Sequence, residues 1–285
     1  NIDYIYTQKG GNKDTWISNK IKTLVHYVYP QRLSEIHGHR YVCVSEWLSK
    51  NFTNSKIPYL QYIIENHNSK KNLKKQLKIK NKQIVFGCHG GESSFDLKFA
   101  YDALKEIVKK RKDIVFIFLN INRFYSHPQI KFLKGSSDEI YKKKFLNTCD
   151  AMIYGRSLGE SFGLACGEFA KQGKKIISYK FNRHRSHIDS LPNQMFNEYS
   201  SKENLIEILD NFKKNNIGKF KNNKNKYLET KPQIVMKKFN EVFLSNEYFI
   251  KPNLIDKLKN YYSFVIMGYF YMRHKIYQNY YRFFK

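Results

Sequence analysis

Two glutamates eight residues apart, Glu160 and Glu168, stand in the stretch CDAMIYGRSLGESFGLACGEFAKQGKKIIS, residues 149–178. Glu160 follows Gly159 in a turn between an apolar, strand-like run and a helical run that opens near Phe162 and Gly163. Glu168 falls up to two turns along that helix. A carboxylate in such a turn can accept hydrogen bonds from sugar hydroxyls, and the second can take another diol. The backbone between them, through Ser161, offers the unpaired N–H groups and partial positive charge of a helix N-terminus, which suit a diphosphate. Gly159 and Gly163 let a ligand approach the main chain closely. Arg156, just past the strand end, is a further phosphate candidate. Two diol acceptors flanking an anion cradle fit a sugar joined through phosphates to a ribose.

Those residues need a scaffold that holds strand ends together, and the surrounding sequence supplies one. From residue 83 a regular alternation begins with the apolar run QIVFGC and the helical stretch FDLKFAYDALKEIVKK, whose Phe95, Phe99, Ala103 and Val108 fall near one face. The continuous apolar run DIVFIFLN reads as a strand buried on both sides. IKFLKG, a helix DEIYKKKFLNTC after a Ser-Ser cap, the strand AMIYG, the helix SFGLACGEFAKQ closed by Gly173, and the strand KIISY complete the series. Five strands separated by helices imply a parallel, doubly wound α/β sheet, in which ligands bind outside the carboxyl ends of the strands.

With Glu160 and Glu168 in the context DAM…R..GE.FG, the segment resembles the E-x7-E motif of retaining glycosyltransferases of the GT-B fold, the group 1 or family 4-like enzymes. The resemblance implies two Rossmann-like halves, with the first glutamate on donor-sugar hydroxyls, the second on the ribose, and the intervening amides on the phosphates. It covers most of residues 1–245 and is tight over 145–178. It also implies roles for two further segments. FGCHGGESSFDLK, residues 86–98, is similar to the family's strand-end glycine loop, with Gly90 and Gly91 making room and Lys98 neutralising phosphate; His89 sits on the same rim. HPQIKFLKGSSDE, residues 127–139, is similar to the segment lining the nucleotide base, placing Phe132, Leu133 and Lys134 near the base edge, although Phe132 lies mid-strand and also reads as core. The resemblance thus implies Glu160, Lys98 and Arg156 as the catalytic group, with Glu160 on the donor sugar and Lys98, Arg156 and the helix N-terminus stabilising the charge that grows on the leaving diphosphate.

The resemblance divides the chain into a C-terminal part of an acceptor domain (1–64), a polar Lys-rich connector (65–82), the nucleotide-sugar-binding domain (83–245) and a basic, aromatic helical tail (246–285). About 60 residues are fewer than a full acceptor domain, so that half is expected to begin upstream or to be minimal. Within it DYIYT, TLVHYVY and YVCVS read as strands and EWLSKNF as a helix, with His26, Ser45 and the QKGG segment as candidates to face the acceptor. Residues 201–245 read as two further helices, SKENLIEILDNFKK and PQIVMKKFNEVFLS. The tail is too short in its apolar core to span a bilayer, so it packs back on the domains or lies at an interface.

Among 285 residues, 51 Lys+Arg against 24 Asp+Glu give a formal charge of +27, which suits nucleic acid, an anionic membrane surface or phosphorylated small molecules. Lys- and Asn-rich runs equally fit the solvated surface of a protein from a low-GC genome. The basic residues are spread along the chain without a helix-turn-helix, RNP-like or zinc-finger pattern, which argues against a nucleic-acid-binding protein. Cys43, Cys88, Cys149 and Cys166 are far apart, suggesting neither a zinc site nor a disulfide framework, and fit a reducing, cytoplasmic compartment. No D-x-D dyad stands where a metal would be needed. The expected activity is transfer of a hexose-type sugar from a nucleotide-sugar co-substrate, without cofactor, to a saccharide, lipid-linked or protein acceptor, with the membrane surface as a further partner. An epimerase or hydrolase on the same fold is the alternative enzyme class.

Overall fold

The computed structural model describes residues 2–65, 69–214, 224–245 and 252–283. Residues 66–68 of the expected connector, 215–223 between the two late helices, and 246–251 and 284–285 of the tail lie outside the description.

The larger unit is a six-stranded parallel sheet of order β11-β9-β7-β4-β5-β6. Its strands are β4 (Ile84–His89), β5 (Ile114–Leu119), β6 (Ile130–Leu133), β7 (Ala151–Tyr154), β9 (Ile176–Tyr179) and β11 (Phe196–Tyr199). β5 is buried along its whole length, as a continuous apolar run packed on both faces must be. Helices α2 (Lys98–Lys110), α3 (Glu139–Thr148) and α4 (Leu164–Lys171) connect strands, and α6 (Lys202–Asp210) follows the last strand and packs beside α2. The expected Ser-Ser cap of α3 is replaced by Asp138, whose carboxylate accepts the Ile140 N–H at 2.8 Å. Phe95 lies ahead of α2 rather than on it, yet is buried beneath Gly155. Building outward from β4 in both directions puts a topological switch between β4 and β7, and the chain leaves both strands there at their carboxyl ends. β11 was not anticipated. It is an edge strand whose sequence FNEY carries only a short apolar signal.

The smaller unit is a three-stranded parallel sheet of order β1-β2-β3, formed by β1 (Tyr4–Lys9), β2 (Lys22–Tyr27) and β3 (Arg40–Cys43), followed by α1 (Glu46–Thr53). Helix α7 (Pro232–Phe239) and the π-helical turn Asn240–Leu244 pack beneath this sheet, where Val235 and Phe243 form a core with Leu24, Val42 and Leu60. A long helix, α8 (Leu254–Phe283), runs across both units. Asn260 donates to the Phe52 carbonyl at 2.6 Å, and the Tyr277 hydroxyl accepts the Lys202 N–H at 2.9 Å. Among the described residues no helix is long and apolar enough to cross a membrane.

Candidate functional site

The chain leaves β7 through Gly155 and Arg156, forms the two-residue strand β8 (Gly159–Glu160), and enters α4 through Gly163. β8 pairs with β10 (His184–Arg185), bringing Glu160 opposite Arg185. Gly159 and Gly163 both have left-handed backbones, with φ of 72° and 85°. A Cβ on Gly159 would stand 2.0 Å from the His184 carbonyl oxygen, and one on Gly163 would stand 2.7 Å from His187 Cβ. The path from Glu160 into α4 is therefore one that only glycine permits at these two positions.

Glu160 Oε1 accepts the Tyr154 hydroxyl at 2.8 Å and the Arg156 guanidinium at 2.9 Å, while the side chain stays partly open to solvent. Tyr154 is fully buried, and burial raises its phenol well above its ordinary pKa, so it donates as a neutral hydroxyl. Arg156 and Glu160 thus meet in a partly open pair at the carboxyl end of β7. The loop after β4 closes on the same place. Asp96 accepts the Ser157 N–H at 2.7 Å and its hydroxyl at 2.9 Å. Lys98, the first residue of α2, is exposed just beyond that contact.

Glu168 is buried on α4. Its Oε1 lies 2.9 Å from Lys142 Nζ of α3, and its Oε2 lies 2.8 Å from Nε2 of His89 at the end of β4, a close contact off the hydrogen-bond axis. Burial pushes the Glu168 carboxyl up, but His89 and Lys142 more than offset this and hold it below the usual carboxylate range. It forms part of the wall of a cavity of about 390 Å³ bounded by Ile63 and Ile64, by Lys142 and Lys143 of α3, and by Leu164 of α4. An ionised acceptor in the wall of a cavity of that size is suited to a pair of vicinal hydroxyls.

The support beneath α4 was missed in the sequence. Tyr227 donates its hydroxyl to the Phe162 carbonyl at 2.6 Å and packs against the Phe162 ring. His187, fully buried, contacts the Ser178 hydroxyl at 3.0 Å, and its ring lies 4.8 Å from that of Tyr154. Burial lowers its pKa to about 3, so it is a neutral packing element. Two glycines with positive φ would have been the only sequence signal for such buttresses. Ser45, the N-cap of α1, donates to the Ser161 carbonyl at 2.5 Å, tying the smaller unit to the turn between the two glutamates.

Other expected residues sit as follows. The Gly90 carbonyl accepts Asn120 Nδ2 at 2.8 Å, and that of Gly91 accepts the Ser94 N–H at 2.8 Å, so both glycines lie in a loop folded over the ends of β4 and β5. The Phe132 ring stacks on Phe118 at 5.3 Å and meets Phe124 edge-on at 5.1 Å, so it packs on the aromatic core at the sheet edge. Leu133 is half-buried on the same strand and lines a separate cavity of about 560 Å³ with Arg123, Tyr125 and Lys78. His26 does not face a cleft: it is buried between the Leu60 carbonyl at 2.8 Å and the Tyr6 hydroxyl at 2.6 Å, because β2 is the central strand of its sheet. Among the described residues no group of three or more His, Cys, Asp and Glu side chains is placed to hold a metal ion.

This architecture recurs in solved structures. HepE of Anabaena, solved with UDP and glucose, superposes over 79% of this chain and 72% of its own, with a TM-score of 0.60 at 12% identity. A glycosyltransferase of Rickettsia africae covers 86% of this chain and 78% of its own, at 0.58 and 14%. TarM of S. aureus, solved with UDP and saccharide ligands, matches at 0.59 and 9% over 80% of this chain. The fold is that of the GT-B glycosyltransferases. The chain spans 52% of TarM's length and about three quarters of the other two. No family model matches the sequence, and no curated protein matches it.

Proposed function

We propose that this chain carries the donor half of a retaining glycosyltransferase, taking a nucleotide sugar in the cleft between the loop after β4 and the N-terminus of α4. The observation that carries this reading is Glu168, an ionised carboxylate in the wall of a cavity one helix turn inside an amide-rich turn, with a second carboxylate, Glu160, at the mouth of that turn. Glu168 takes the ribose diol, the amides of Ser161 to Leu164 take the diphosphate, and Glu160 takes hydroxyls of the donor sugar. Two of the architectural neighbours were solved with UDP, which supports a nucleoside diphosphate as the leaving group.

In the transfer, the bond from the anomeric carbon to the diphosphate oxygen breaks as the acceptor oxygen bonds to that carbon on the same face. The acceptor proton passes to the departing diphosphate. The contribution of the protein is to stabilise the charge growing on that diphosphate, through Arg156, Lys98 and the α4 amides, in a site that is already organised. No metal is needed for this step. Acceptors in keeping with the reading are a saccharide, a lipid-linked glycan or a protein, and a hexose is the expected transferred unit.

The test is turnover with nucleotide sugars and a mixed acceptor panel. Glu160→Gln is expected to lower kcat/KM by about a hundredfold or more while leaving nucleoside diphosphate binding intact, since Glu160 is assigned to the sugar alone. Equal turnover in wild type and Glu160→Gln would remove the assignment.

A further inference from the structure

Helix α8 (Leu254–Phe283) has two apolar faces, and only one is used by the fold. Its inner face is fixed at intervals along its length: Asn260 to the Phe52 carbonyl, Phe264 against Phe52, His274 against Tyr179, and Tyr277 against Phe99. The helix as a whole carries half of the large apolar and aromatic side chains that stand exposed among the described residues, and most of these lie on its outer face. They recur every three or four positions, as in Leu258, Tyr261, Val265, Tyr269, Met272 and Ile276, and so form one stripe down a helix of about 45 Å.

The charges beside the stripe are of one sign. Lys257, Lys259, Arg273 and Lys275 accompany it, and the only acid on the described part of the helix, Asp256, is turned inward, accepting Asn54 Nδ2 at 2.8 Å. Beside its first turns opens a cavity of about 610 Å³ between Arg32 and Leu33 on one side and Lys257, Tyr261 and Phe264 on the other.

We propose that the outer face of α8 docks the protein flat on an anionic lipid bilayer. Three features select this occupant. The stripe is rich in tyrosine, whose ring and hydroxyl match the boundary between acyl chains and headgroups. Its flanking cations complement anionic headgroups and oppose a second copy, since two chains of formal charge +27 would bring the same lysines together. The inner face is tied to both α/β units, so the helix cannot leave them to insert across the bilayer and can bury its stripe only by lying in the plane. This inference is independent of the donor-site assignment.

The experiment is sedimentation of the full chain with vesicles of phosphatidylcholine, with and without phosphatidylglycerol. The wild type is expected to sediment with the anionic vesicles at low salt, and much less with phosphatidylcholine alone. The triple variant Leu258→Asp, Val265→Asp, Met272→Asp changes only exposed side chains and should keep its melting temperature while losing at least about tenfold in vesicle affinity. The pair Lys257→Gln and Lys275→Gln, with the stripe intact, should weaken binding to anionic vesicles alone. Wild type remaining in the supernatant with both vesicles would overturn the proposal. So would undiminished binding by the triple variant, or a wild-type dimer in light scattering that the triple variant dissolves without any vesicle binding.

Discussion

Lys142 reaches from α3 to within 2.9 Å of Glu168 on α4 and, together with His89, outweighs the burial that pushes that carboxyl up. A carboxyl whose folded pKa lies below its unfolded value adds stability that is present above about pH 4.3 and is lost as pH falls through the folded value. Lys142→Met removes one of the two groups opposing burial. The stabilising effect should then weaken or reverse: the variant loses about 1–3 kcal/mol at neutral pH and less in acid, where its Glu168 takes up a proton before that of the wild type does. Melting curves across that range for wild type and variant check this, and an equal loss at neutral and acid pH would contradict it.

Three buried histidines set the response to mild acid. Burial lowers His187 to about 3 and His26 and His184 to about 4, all below the ordinary value near 6.5. A histidine with a depressed folded pKa takes up its proton only on unfolding, so stability is complete above about pH 6.5 and falls as pH drops towards the folded values. Each contributes a slope of up to about 1.4 kcal/mol per pH unit in that window. Melting should therefore decline below pH 6.5, well before carboxylates titrate. His187→Gln, though less stable at neutral pH, should show a shallower decline. An unchanged slope would mean that His187 is not a neutral buried group.

Gly163→Ala places a methyl group against His187 and the Tyr227 hydroxyl in a left-handed backbone. We expect a cost of about 1–2 kcal/mol from the conformation, with more from the contacts. Because the residue caps α4, nucleotide binding should weaken more than the melting temperature falls, which calorimetric titration and thermal melting measured side by side would show. A variant that binds nucleotide as wild type would separate the turn from the ligand site.

Much of the scaffold was readable because a parallel sheet buries both faces of its strands. IVFIFL and the other apolar runs then have no other use, and the Gly-rich returns mark their ends. The edge was harder. β11 reads FNEY, half polar, since one side of an edge strand is open to solvent. Glu160 and Glu168 could be named as candidates from spacing and resemblance; Glu160 ends the short strand β8 and Glu168 lies one turn inside α4. Their partners could not all be named. His89 meets Glu168 across 79 positions of sequence, and neither Lys142, one of many lysines, nor the Tyr227 prop under Phe162 has a local pattern to announce it. Such contacts arise only when separate βα units are folded side by side. Phe132 illustrates the converse: its place mid-strand also reads as core, and its ring packs against Phe118 and Phe124.

The central claim is that the cavity beside Glu168 takes the ribose of a nucleotide sugar, and calorimetric titration with a panel of nucleoside diphosphates and nucleotide sugars tests it most directly. The account predicts saturable binding of one nucleotide series, accompanied by a rise in melting temperature, and abolished in Glu168→Gln without loss of fold. Binding of equal affinity in Glu168→Gln, or no binding by any nucleotide to the folded wild type, would contradict it.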